Sequence, residues 1–186
     1  MTETALAPEI GVVLTFWFEE LSPEQWFATD PLLDATIRHR FGELYEALAA
    51  NGPGDWSETA DGTLAAVIVL DQFPRNIFRG QPRAFAADDQ ALRLAERAIA
   101  RGLDAELTPP RRTFLYMPFQ HSEDPGIQDR SVTLFQGLGN PRTLDFARRH
   151  RAIIERFGRF PHRNAILGRD TTPEEAAFLQ EPGSAF

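Results

Sequence analysis

The sequence predicts an all-α protein, a single domain of about eight helices over residues 1–186, and three observations lead there. A capping residue followed by proline recurs along the chain, at Ser22-Pro23, Asp30-Pro31, Thr108-Pro109, Asp124-Pro125, Asn140-Pro141 and Thr172-Pro173. In each pair the side-chain oxygen can accept from an orphan amide at a helix start, while proline occupies a position that needs no donor. Stop signals answer the starts at Asn51-Gly52, Gly102, Gly137, Gly139 and Gly158. Between these marks the apolar residues fall at helical spacing, and the one run that could be a strand, residues 64–70, has no second strand to pair with.

Taken in order, the first helix is expected over residues 12–20, with Phe16, Trp17, Phe18, Trp26 and Phe27 as core at the helix seams. Ser22 with Gln25, and Thr172 with Glu175, have the spacing of capping boxes. Residues 31–50 place Leu33, Ile37, Phe41, Leu44 and Leu48 on one face and leave His39 in solvent. Residues 51–62 and 79–84, rich in Gly and Pro, are loops. The run 64–70 reads as a buried helix ending before Pro74, because the residue ahead of a proline is biased out of the helical region. Residues 87–101 turn Ala91, Leu94, Ala95, Ala98 and Ile99 inward. A helix over 109–117 comes next, and Pro118, unable to donate to the Phe114 carbonyl, should kink or end it just before His121. Helices over 125–136, 141–157 and 173–180 complete the chain.

Composition excludes several kinds of chemistry. There is no cysteine, so disulfides and thiolate metal sites are out. All nineteen basic residues are Arg, which removes lysine Schiff bases and lysine general bases. The net charge of -8 argues against nucleic acid as a partner. No basic leader and no bilayer-length apolar run is visible, so no membrane partner and a cytoplasmic location are expected. Charge is unevenly spread: residues 1–70 carry twelve acids against Arg38 and Arg40, whereas 142–169 carry eight Arg against Asp145 and Glu155. Acidic and basic helices should therefore face each other within the fold or across a homodimer.

The densest polar string comes directly after an apolar wall: Phe114 opens FLYMPFQHSED, which ends in Gln120, His121, Ser122, Glu123 and Asp124. A histidine beside a carboxylate is an oriented general base, so His121 and Glu123 are candidate catalytic residues. A short echo links QFPRN at residues 72–76 to RFPHRN at 159–164: both turn at Phe-Pro with Arg and Asn just beyond. In such a turn Arg75 or Arg163 can satisfy the last carbonyls of the preceding helix, or bind a carboxylate or phosphate on a small anionic molecule. His162 joins the catalytic candidates, with Asp71, Gln72, Arg75, Asn76, His150, Arg163 and Asn164 as substrate-binding candidates. Asp71 and Arg75, four apart, most simply pair with each other. In the stripe Phe146, His150, Ile153 and Phe157, His150 lies mid-face, where a hydrogen-bonded core residue is the ordinary outcome. His121, Glu123, Asp124 and His162 have ligand chemistry for a metal, but HExxH and ExxH pairs are absent, and no metal or cofactor is expected. No GxSxG, P-loop or GxGxxG occurs.

The strings LDQFPRNIFRG (70–80), FLYMPFQHSED (114–124) and RHRAIIERFGRFPHRNAILGRDTTPEEAAFL (149–179) resemble the signature segments of the bacterial family known as domain of unknown function 924, over about residues 13–179. The resemblance implies a tetratricopeptide-like array of antiparallel helices and brings no established activity. Where that family commonly reads FMHSED, this chain has Gln120. The residues support two readings: an anion-binding site, of hydrolase or lyase type if it turns over, in which the two Phe-Pro turns and the HSED joint converge; or an interaction module whose polar strings only fix helix register.

Overall fold

A computed structural model describes residues 8–184, and every regular element among them is helical. The chain forms two compact units, one running up to Arg79 and including Arg83–Pro118, the other made of Gly80–Pro82 and the chain from Phe119 onward. The first unit holds α1 (Pro8–Thr15), α2 (Pro31–Asn51), α3 (Ala60–Val67), α4 (Phe73–Ile77) and α5 (Asp88–Ala100). The division falls inside α6 (Pro109–His121), and the second unit continues with α7 (Pro125–Gly137), α8 (Pro141–Phe157), α9 (Asn164–Leu167) and α10 (Pro173–Phe178).

Most of the expected caps form. Asp30 accepts from the Leu32 amide at 2.9 Å, Asp124 from Ile127 at 2.9 Å, and Asn140 from Arg142 at 3.0 Å. Thr172 and Glu175 close a full capping box at the head of α10. Ser22 and Gln25 close only half of one: the Gln25 side chain accepts from the Ser22 amide at 2.9 Å, and the chain then makes a single 3-10 turn, Gln25–Phe27. The helix expected to start at Ser22-Pro23 is corrected to that turn, because Asp30-Pro31 opens α2 a few residues later and leaves no room for a longer element.

In the first unit the core gathers on α3 and its continuation, where Leu64, Ala65, Ala66, Val67, Ile68, Val69 and Leu70 are fully buried. Phe41 lies 4.9 Å from Phe16 and 4.7 Å from Phe73, ring centre to ring centre. Each such buried side chain contributes about 1.5–3 kcal/mol relative to exposure. Gly62 is needed for the tight start of α3, since a Cβ there would meet the Trp56 carbonyl oxygen at 2.3 Å. The second unit packs Ile153, Ile154, Phe160 and Phe178 together, with Phe157 against them.

Several expectations are corrected. The helix through 64–70 does not stop before Pro74. It widens into a π-helical turn, Ile68–Gln72, whose end is marked by the Phe73 amide donating to the Ile68 carbonyl, and resumes as α4. Pro74 then falls in the first turn of α4, where its missing donor costs nothing. A similar π turn, Phe16–Glu20, extends α1. The helix expected over 109–117 runs on through Pro118 to His121. Phe27 is not core but 67 % exposed, because it terminates the 3-10 turn. On α8 the buried face is Ala147, His150, Ile153 and Ile154, and Phe146 lies 38 % exposed at its margin.

Candidate functional site

Within the second unit three segments meet: the end of α6 with the HSED joint, the middle of α8, and the 3-10 turn Pro161–Arg163 with α9 behind it. The joint is held from α7, where buried Gln128 sends its Nε2 to the carbonyls of Gln120 at 2.9 Å and Ser122 at 2.6 Å. Those are carbonyls at the foot of α6 and just beyond it, which have no partner within their own helix. Asp124 is occupied as the cap of α7.

Glu123 reaches across to the turn. Its Oε1 accepts from the Phe160 amide at 2.7 Å, and Arg169 grips both carboxylate oxygens, at 2.8 and 3.1 Å. Burial is the largest single influence and pushes the Glu123 carboxyl up, but Arg169 and the Phe160 amide together outweigh it and hold the group below the usual glutamate range. Arg169 also donates to the Phe160 carbonyl at 3.0 Å and to Asn164 Oδ1 at 3.0 Å. Buried Asn164 passes the network on to Glu175 at 3.2 Å. Glu175 in turn is gripped by Arg159, at 2.6 and 2.9 Å. With Arg159 first among its causes and the Thr172 amide second, the Glu175 carboxyl is pulled down to about 2.

Around the Phe160 ring stand two imidazoles and a guanidinium, and a third imidazole lies next to one of the two. The His150 and His162 rings each lie 5.6 Å from it, the Arg163 guanidinium carbon 4.8 Å, and the His121 ring is 6.4 Å from that of His150. Arg163 donates to the His121 carbonyl at 3.0 Å. The expected carbonyl contact of Arg163 is thus made, though to the end of α6 and not to the helix before it. His150 is buried, and its Nδ1 lies 2.8 Å from the Phe146 carbonyl. A carbonyl only accepts, so Nδ1 carries the proton and Nε2 keeps its lone pair. Burial drives the His150 pKa down to about 3, so the ring is neutral at pH 7. His121 and His162 are half-buried.

The other Phe-Pro turn, in the first unit, is wired to its own surroundings. Asp71 is fully buried, lies 3.4 Å from the Arg75 guanidinium and accepts from Gln72 Nε2 at 2.6 Å. Arg75 also donates to the Asp71 carbonyl and takes Asp88 with both arms, at 2.9 and 3.0 Å. Asn76 donates to Asp34 at 2.8 Å. Sequence reasoning missed Arg169, Gln128 and Asp88. Arg169 had one visible signal, the Gly168 ahead of it, which takes a left-handed φ of 67° and ends α9.

Two comparisons place this chain among known proteins. A family model described as bacterial protein of unknown function, DUF924, matches residues 13–183. A solved structure, that of a protein of unknown function, ATU0120, from Agrobacterium tumefaciens, is similar with a TM-score of 0.89 and 42 % identity, over 93 % of this chain and 97 % of that one. No curated protein matches.

Proposed function

The chain belongs to that bacterial family, and we propose that its second unit binds a small anionic molecule through His121, His162 and Arg163. The observation that carries this reading is the gathering of His150, His162 and the Arg163 guanidinium about the Phe160 ring, with His121 next to His150 and its carbonyl bonded by Arg163. A core built only for packing gains nothing from grouping imidazoles with a guanidinium. A guanidinium with titratable imidazoles suits a carboxylate or a phosphate. His150, kept neutral, adds no charge of its own to the group. Proton transfer by His121 or His162 would make the site a hydrolase or lyase centre.

The test is a thermal-shift screen of phosphates and small carboxylates against the wild type and His121→Ala. A bound ligand raises the apparent melting temperature by mass action. The expected result is a ligand-dependent rise in the wild type that disappears in His121→Ala, whose ligand-free melting stays close to wild type. A second reading, a tetratricopeptide-like interaction module, is favoured by the mutual saturation of Glu123, Arg169, Asn164, Glu175 and Arg159. On that reading no small anion shifts the wild type, and His121→Ala loses about 1–3 kcal/mol of stability by orphaning buried partners.

A further inference from the structure

The Glu123–Arg169 pair brackets one residue on both sides. Glu123 Oε1 takes the Phe160 amide at 2.7 Å, and Arg169 Nη2 donates to the Phe160 carbonyl at 3.0 Å. Phe160 is the residue from which the Pro161–Arg163 turn departs. Arg169 Nε holds Asn164 Oδ1 at 3.0 Å, and its amide donates to the Asn164 carbonyl at 2.9 Å, so the residue that closes the turn is held too. His162 and Arg163 lie between these two fixed points. The carboxylate comes from the joint two residues after His121, and Arg163 Nη2 returns to the His121 carbonyl at 3.0 Å. A closed circuit therefore runs from His121 through Glu123, Phe160 and Arg163 back to His121. Only a planar fork can reach both carboxylate oxygens, a carbonyl and an amide oxygen at once; a lysine ammonium has neither the span nor the donors.

We propose that Glu123 and Arg169 are positioning residues, setting the separation and orientation of His121 and His162 in the anion site. The inference rests on the anion-binding reading, and it moves Glu123 from the role of proton carrier to that of clamp. A carboxylate engaged by three donors, and held in its charged form by them, is a poor base.

The experiment tracks the imidazole 1H–15N signals of His121 and His162 through a pH titration in wild type, Glu123→Gln and Arg169→Lys, each with and without inorganic phosphate. Glu123→Gln keeps the shape but replaces an accepting oxygen with a donating amide; Arg169→Lys keeps the charge and loses the fork. The expected result is a shift of about 0.5 pH unit or more in the ligand-free midpoint of at least one of the two rings in each variant. Phosphate affinity falls about tenfold or more alongside it. Since Glu123→Gln also removes a charge, the charge-conserving Arg169→Lys decides: a purely structural pair would lower its melting temperature and leave both of its midpoints at their wild-type values, and that result overturns the proposal. Midpoints that move in a protein whose wild type ignores phosphate uphold the clamp and refute phosphate as the anion. Should Glu123→Gln fail to fold, the Arg169→Lys titration decides by the same criterion.

Discussion

The two Phe-Pro turns share a local sequence and differ in what their polar groups are tied to. At Phe73-Pro74 the arginine four residues past a buried aspartate stays local, gripping Asp71 and its carbonyl and taking Asp88 bidentately. At Phe160-Pro161 the arginine of the turn reaches a carbonyl on another helix, and a different arginine, Arg169, supplies the bidentate pair. The first turn is thus closed by opposite charges that neutralise one another. The second is closed by a pair standing outside the turn, which leaves its own His162 and Arg163 on the side of the other imidazoles. The Phe-Pro corner is a structural device in both places, and its chemical meaning is set by which charges the surrounding helices bring to it.

The largest effects should come from the rings at the two corners. Phe73→Ala and Phe160→Ala each remove a fully buried aromatic side chain, so each should cost about 3–5 kcal/mol in urea unfolding. Phe160→Ala alone should also alter the titration of His150 and His162, which rest on that ring. A cost near zero at either position would remove it from the core.

Next is Asp88→Ala, which strips Arg75 of its two-armed partner and should cost about 2 kcal/mol, the range for a lost hydrogen-bonded charge. A negligible change by chemical denaturation would mean that Asp71 alone satisfies the guanidinium.

The pH dependence separates the second corner further. His150 has a folded pKa depressed to about 3 by burial, against an ordinary 6.5. The unfolded chain therefore binds the extra proton first: the neutral ring's contribution is fully present above pH 6.5 and is lost as pH falls from 6.5 toward 3. The slope contributed by this one group should approach about 1.4 kcal/mol per pH unit. Over the upper part of that window His150→Leu should flatten the wild-type decline; an unchanged slope would contradict a neutral buried ring. Glu175, pulled down to about 2, acts lower. Its contribution is present above the ordinary glutamate range and is lost as pH falls from about 4.5 toward 2, so Glu175→Gln should be the less acid-sensitive protein there.

The smallest effect is expected on the outer face of α8. Asp145 pairs with Arg149 at 2.7 Å with both side chains more than half exposed, and Asp145→Ala should change stability by about 0.3 kcal/mol. A loss comparable to Asp88→Ala would show that the exposed face of α8 is engaged in something further.

The helical architecture was legible because its signals are local. Asp30, Asp124, Asn140 and Thr172 announce their helices through chemistry that acts within three residues. The two π turns were not, because apolar runs such as 64–70 are buried all round and carry no face by which to read their period. At the candidate site the sequence offered His121, His162 and Arg163; Arg163 bonds the His121 carbonyl, and His162 lies near the Phe160 ring. It could not show that Glu123 is taken by a residue 46 positions later, or that Asp88 rather than Asp71 gives Arg75 its bidentate pair. Hydrogen bonds across such separations leave no periodicity, only a glycine such as Gly168 that turns the chain back.

The π turn at Ile68–Gln72 holds one more residue per hydrogen-bonded loop than the α-helices on either side of it. It works as a phase shifter, since each residue in an α-helix advances the side chains by about 100°. Collapsing this turn into uninterrupted α-helix at the same chain length would rotate Arg75 and Asn76 by about 100°, away from Asp88 and Asp34. Side-chain exchanges that keep this turn should be far milder than ones that collapse it, so the phase of the chain beyond Gln72 is what this stretch sets.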